Sequence, residues 1–235
     1  MTRPADLHPT KIVAVHLSYP SRVAEYAAQT PPDPSYFLKP PSTLARHGDE
    51  IVRPRGCRYL NYEGEIAVIV GSRMKRVALD EALSYVAGYA PANDFGVHDF
   101  RHADRGSMLR VKGQDGFCPI GPDMADADEV DPANLAFRTY VNGEVVQEGN
   151  TGELLWSIAY MLTDLSRLIT LEPGDILLSG TPANSRRRPA GRRGPPRFRS
   201  RGARCRPLRP RQRRPAGRGA SWPTSPRGGC RPARA

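Results

Sequence analysis

No run of apolar residues in this chain approaches the ~18 needed to span a bilayer as a helix. Met1 to Pro9 lacks the apolar stretch of a secretory leader, so a cytoplasmic location is expected. Cysteine is scarce: Cys57, Cys118, Cys205 and Cys230 are the only four, with no Cys-x-x-Cys spacing. That excludes a disulfide framework and a zinc knuckle, and it fits a reducing compartment. Residues 186–235 lack Asp, Glu and Lys altogether. They hold 18 Arg, 9 Pro and 7 Gly, with Phe198, Leu208 and Trp222 as the large apolar side chains. Such a segment cannot bury enough surface to offset its ordering entropy, and disorder is expected.

The split changes the meaning of the charge. The whole chain has 35 Lys+Arg against 24 Asp+Glu, a net of +11. Taking the 18 terminal arginines from the 35 leaves residues 1–185 with 17 basic and 24 acidic side chains, a net of −7. The body is therefore mildly acidic and has the size of one ordinary domain. Nucleic-acid binding would run only through the tail, with the steep salt dependence of phosphate contacts. Sparse aromatics there offer little base stacking, and no membrane partner is expected.

Along the body, Lys11–Val15 starts a short strand. Residues 30–43 carry five prolines and read as an extended, ordered loop. Tyr59–Val70 is strand-like, with a buried apolar run from Ile66. Leu79–Ala87 reads as a short amphipathic helix, and Tyr89–Phe100 as a polar loop. Asn142-Gly143 between β-formers signals a hairpin. Residues 151–169 have apolar residues at helical spacing, and Asp175–Leu178 is a short strand.

Glu63-Gly64-Glu65 is the sharpest local feature. In a strand, side chains at i and i+2 share a face, so two carboxylates stand side by side before a buried run. Unpaired, they would repel at a cost. Two readings fit: a solvated strand face, or a site for an oxygen-preferring divalent cation. Asp94 could add a third carboxylate or simply cap a turn. Lys112, between apolar residues and glycines, could face developing negative charge or be a surface lysine. Gly180-Thr181-Pro182 could present a hydroxyl and N–H groups to an anion, or be only a turn.

Together these residues fall into a pattern. The strings YEGEIAVIVG, GYAPANDFGVHDF, KGQDGFCPIGP, NGEVVQEGNT and GDILLSGTPA, after PSYFLKPPSTL, resemble the fumarylacetoacetate hydrolase family over roughly residues 11–184. The likeness is to its bacterial aromatic-catabolism branch of 2-hydroxyhepta-2,4-diene-1,7-dioate isomerases and 5-carboxymethyl-2-oxo-hex-3-ene-1,7-dioate decarboxylases. The resemblance implies a β-rich α+β fold, a mixed β-roll or barrel with few helices, and a homodimer. It implies Mg²⁺ or Mn²⁺ held by Glu63, Glu65 and Asp94, with Lys112 stabilising charge. It places Gln114, Asp115 and Thr181 at a small anionic 2-oxo acid substrate. A metal acting as Lewis acid on such a substrate stabilises the enolate of isomerisation, decarboxylation or C–C cleavage.

The sequence departs from the pattern twice. Hydrolytic and decarboxylating members carry N-Y-x-x-H-x-x-E near the N-terminus. Here Glu25 is kept as a candidate catalytic residue, but Arg22 stands in place of the His and cannot act as a base. Isomerisation, which needs no attacking water, gains on hydrolysis of acylpyruvate type, and His16, His98 or His102 could compensate. Past Thr181 the closing strands of the family are not recognisable. A domain at 1–185 with its C-terminal strands missing, followed by a tail at 186–235, is expected. A frameshift would account for it: GAG-CCG-GGC-GAC-GTC, read from its third base, gives the Ala-Gly-Arg-Arg of residues 190–193. An in-frame DNA read confirmed by the mass of the native tail would exclude that. An inactive scaffold and a nucleic-acid-binding protein are the readings from other classes.

Overall fold

The computed structural model describes residues 6–185, 187–189 and 197–199. The strands are β1 (Ile12–His16), β2 (Ser35–Lys39), β3 (Leu44–Arg46), β4 (Glu50–Val52), β5 (Tyr59–Asn61), β6 (Gly64–Val70) and β7 (Val86–Asn93). They continue with β8 (Cys118–Ile120), β9 (Ala125–Asp126), β10 (Ala136–Val141), β11 (Glu144–Asn150), β12 (Ile176–Leu178), β13 (Arg187–Pro189) and β14 (Arg197–Arg199). Helices are few: α1 (Pro20–Glu25), α2 (Arg101–Asp104), α3 (Leu109–Lys112) and α4 (Ile158–Leu168). This is the β-rich α+β fold expected from sequence.

An eight-stranded mixed sheet runs in the order β2-β1-β12-β6-β7-β8-β3, with β9 on β7. Its centre is buried on both faces, which is why Ile66–Val70 is continuously apolar. Ile66, Val68 and Val70 pack toward Val13, Val15 and Leu177 and beneath Met161, Leu162 and Leu165 of α4. Ala67 and Ile69 pack the other way, with Ile12, Ala14, Ile176 and Leu178. Each valine, leucine, isoleucine or methionine side chain among them taken from water contributes roughly 1.5–3 kcal/mol. A third cluster, with Ile51, Leu60, Phe95 and Phe117, supports the end of the sheet where the site lies.

Several sequence expectations change. The helix expected at Leu79–Ala87 is a 3-10 turn over Ala82–Tyr85, and the chain is already extended at Val86. The polar loop expected from Tyr89 is instead β7 as far as Asn93, paired with β6, β8 and β9. Gly88 and Pro91 disguise this strand. A Cβ at Gly88 would stand 2.4 Å from the Ala125 carbonyl, so β9 can approach only a glycine. Within residues 30–43, Ser35–Lys39 forms an edge strand on β1. The expected helix at 151–169 begins only at Ile158, where the Ser157 hydroxyl accepts the Tyr160 N–H at 3.1 Å. The Asn142-Gly143 hairpin joins β10 and β11, with both residues at positive φ.

Beyond Ser185, β13 pairs antiparallel with β5 and β14 with β4. The expected disorder and the Ala-Gly-Arg-Arg of the frameshift reading otherwise lie outside the described residues. Among the described residues no helix is long and apolar enough to cross a membrane.

Candidate functional site

The two glutamates stand at the start of β6, Glu63 just before it and Glu65 as its second residue. On β7, Asn93 pairs with Gly64 and Ala92 with Glu65. The Asp94 N–H donates to the Glu63 carbonyl at 2.8 Å, and the Asn93 side chain accepts the Glu63 N–H at 2.9 Å. Two neighbouring strand ends thus deliver three carboxylates to one place. One oxygen from each of Glu63, Glu65 and Asp94 lies within 4.8 Å of the other two, and all three residues are buried. Glycine between the glutamates is required by β10: a Cβ at Gly64 would fall 1.8 Å from Thr139 Oγ1.

Carboxylates this close repel, and the chain supplies cations. Lys112 Nζ lies 2.6 Å from Glu63 Oε2 and 2.8 Å from Asp94 Oδ2. Lys39 Nζ lies 2.6 Å from Asp94 Oδ1 and donates to the Lys112 carbonyl at 2.5 Å. Arg22 Nη2 reaches Glu63 Oε1 at 2.9 Å. Glu65 accepts the Gly180 N–H at 2.7 Å.

The electrostatic outcome differs within the cluster. Burial would raise the Glu63 carboxyl, but Lys112 and Arg22 overcome it and hold its pKa down to about 2. At Glu65, burial and then the charges of Asp94 and Glu63 push the carboxyl well above its usual range. Burial disfavours the Lys112 ammonium, yet Asp94 and Glu63 raise its pKa. Glu65 is therefore the carboxyl of the cluster that resists ionisation. A buried set of three carboxyl groups that offers only oxygen donors suits a hard divalent cation.

These groups line a cavity of about 430 Å³, together with His16, Arg22, Phe37, His98, Met108 and Thr181. Thr181 Oγ1 accepts from Gln147 Nε2 at 3.0 Å, while Gln147 Oε1 accepts the Gly64 N–H at 3.0 Å. Gln147 thereby ties the hydroxyl to the acidic strand. His98 Nε2 lies 3.6 Å from Glu63 Oε1, and burial lowers its pKa to about 4 despite that neighbour.

Of the residues singled out from sequence, Glu63, Glu65, Asp94, Lys112 and Thr181 meet at this cavity. Glu25 does not line it and is joined to it through Arg22, whose Nη1 donates to Glu25 Oε2 at 2.5 Å. Gln114 turns away, donating to the Arg110 carbonyl at 2.8 Å, and Asp115 is exposed. His102 is exposed on α2. Lys39 and Gln147 were not singled out. Their only sequence signal is placement, in FLKPP and in the strand after the Asn142-Gly143 turn.

A family model described as "Fumarylacetoacetate (FAA) hydrolase C-terminal" matches residues 11–206, running past Ser185. The 4-hydroxyphenylacetate degradation bifunctional isomerase/decarboxylase of Salmonella dublin is 41% identical over 172 residues, 73% of this chain and 40% of that protein. The homoprotocatechuate catabolism bifunctional isomerase/decarboxylase of Escherichia coli is 37% identical over the same length, with the same coverage. The chain thus spans about 40% of the length of these curated relatives. Among solved structures, the 2-hydroxyhepta-2,4-diene-1,7-dioate isomerase of Mycobacterium marinum is similar with a TM-score of 0.69 and 34% identity, over 79% of this chain and 68% of that one. The 5-carboxymethyl-2-hydroxymuconate delta-isomerase of Mycobacterium smegmatis gives a TM-score of 0.70 at 34% identity, over 78% and 71%.

Proposed function

Because the chain belongs to the fumarylacetoacetate hydrolase family, we propose that it isomerises or decarboxylates a 2-oxo or 2-hydroxy dienoic diacid of aromatic-compound catabolism. The observation that carries this reading is the buried Glu63–Glu65–Asp94 cluster beside Lys112 in a cavity of small-molecule size. The activity names of the relatives support it.

In this reading Glu63, Glu65 and Asp94 hold Mg²⁺ or Mn²⁺. When bound, such a cation draws electron density from the oxygens of a 2-oxo acid. Lys112, kept charged by Glu63 and Asp94, offsets negative charge developing on the substrate nearby. Because Gln147 donates to Thr181 Oγ1, the hydroxyl proton of Thr181 is left to face an anionic ligand. Phe37, Met108 and Val15 give the cavity an apolar wall that limits water. C–C hydrolysis is the poorer fit. Arg22 holds Glu25 and Glu63 and cannot accept a proton from water.

The test is a divalent-metal-dependent assay against oxaloacetate, acylpyruvates and 2-oxo-dienoic diacids. Turnover of a dienoic diacid or of oxaloacetate, lost on chelation and restored by Mg²⁺ or Mn²⁺, is expected. Turnover of acylpyruvates alone would shift the assignment to the hydrolase. Absence of turnover across the panel would overturn it.

A further inference from the structure

A proton shift along a conjugated acid needs a group that can take and return a proton, and few groups at this cavity can. Glu63 and Asp94 are ion-paired with Lys112, Arg22 and Lys39, and Glu65, which accepts the Gly180 N–H, is given to the cation in the reading above. Glu25 accepts from Arg22 and from the Asn184 N–H at 3.1 Å. His98 points its Nε2 at Glu63. Arg22 has no acceptor to offer.

His16 is different. It closes β1 and lines the same cavity. Its ring stacks on Phe37, with centroids 4.6 Å apart and planes 29° from parallel. Its Nε2 is buried without a hydrogen-bond partner among the described residues. Buried ring nitrogens are ordinarily paired, and an unpaired one on a residue that lines the cavity calls for an explanation. A residue needed only for stacking would be served by an apolar ring, with no polar atom to bury.

We infer that His16 is the residue that carries the proton in this cleft, resting on the 2-oxo acid reading above. The imidazole takes a proton from one substrate carbon, and the C–H electron pair moves into the adjacent conjugated carbonyl system. The imidazolium then returns that proton to another carbon of the same system, so atoms and charge balance without a co-reactant. In decarboxylation the carboxyl carbon leaves as CO₂ and its bonding pair stays on the substrate as the enolate; a water gives its proton to the neutral imidazole as hydroxide departs to solvent, and the imidazolium passes that proton to the enolate carbon. Burial, with Lys112 next, holds the ring below its ordinary pKa against the pull of Asp94 and Glu63, while Arg101 lowers it further. The ring is thus neutral and able to accept near neutral pH.

The test uses the full chain with Mg²⁺ and compares wild type with His16→Phe, which keeps the stacking ring, and His16→Asn. Oxalate binding is followed by calorimetry, and exchange of the C3 protons of 2-oxoadipate in D₂O by NMR. His16→Phe should bind oxalate within about threefold of wild type yet lose exchange by at least ~100-fold, the scale of a lost acid–base group. Wild-type exchange should rise with pH through the lowered His16 pKa, and the variants should lose that dependence. Exchange by His16→Phe and His16→Asn within about threefold of wild type would overturn the assignment to His16 alone. A wild type that neither binds oxalate nor exchanges protons would overturn the 2-oxo acid reading, and the inference with it.

Discussion

Gly64 and Asn93 are cross-strand partners, and the three buried carboxylates of the cavity flank that one pairing. The cluster is therefore a property of the β6–β7 register. A slip of one residue would turn Glu63 and Glu65 to the opposite face of the sheet.

Glu65→Gln should weaken Mn²⁺ binding by at least about tenfold, since even outer-shell changes commonly cost 10–100-fold. The melting temperature should change little, because the amide resembles the protonated carboxyl that burial and Asp94 favour. Cation uptake by wild type should also release protons, visible as a buffer-dependent binding enthalpy. A variant that binds Mn²⁺ as well as wild type would contradict this.

Lys112→Gln should lower turnover on the order of 10²–10³-fold, the scale of one lost charge-stabilising donor. Oxalate should still bind in the presence of Mg²⁺, so the loss should fall on kcat more than on KM. A change confined to KM would assign Lys112 to ground-state binding instead.

Gly180→Ala should damage the site through the backbone. Gly180 has φ +88°, and a Cβ there would stand 1.9 Å from Ser18 Oγ, which donates to the Ser179 carbonyl. The same glycine gives its N–H to Glu65. A stability loss of roughly 1–3 kcal/mol is expected from the strained conformation, read by denaturant unfolding, with weaker Mn²⁺ binding beside it.

Asp175 joins the entry of β12 to the start of β1, accepting from the N–H groups of Thr10, Lys11 and Glu172 and from the Lys11 ammonium. Burial would raise its pKa, but these donors lower it below 3.8. A carboxyl depressed in the folded state stabilises fully above its unfolded value. That contribution fades as pH falls through the lower folded value. Asp175→Asn should cost roughly 1.5–3 kcal/mol near neutral pH, the scale of hydrogen bonds to a charged group. The gap from wild type should narrow below about pH 4, near the unfolded value. A gap that is constant with pH would contradict the linkage.

The site was legible where its chemistry is local. Glu63 and Glu65 are two residues apart, and a strand alone sets them side by side. Asp94 and Lys112 could be attached to them only by resemblance, because a β6–β7 pairing and a turn of α3 bring them in. β7 itself was hidden: Gly88, Pro91 and Asn93 are poor strand formers, and neighbours on both sides impose the extended form. Gln147 and Lys39 act across the sheet at separations no local pattern reports. Arg22 was read as a missing base. Its guanidinium is instead a buried cation between Glu25 and Glu63.

The most direct test of the central claim is Mn²⁺ titration of the metal-stripped full chain, with binding and turnover of a 2-oxo-dienoic diacid measured on the same samples. The account predicts that turnover rises in proportion to occupancy of one site, and that Glu65→Gln weakens that site and the activity together. Full turnover in excess chelator, or Mn²⁺ affinity untouched by Glu65→Gln, would contradict it.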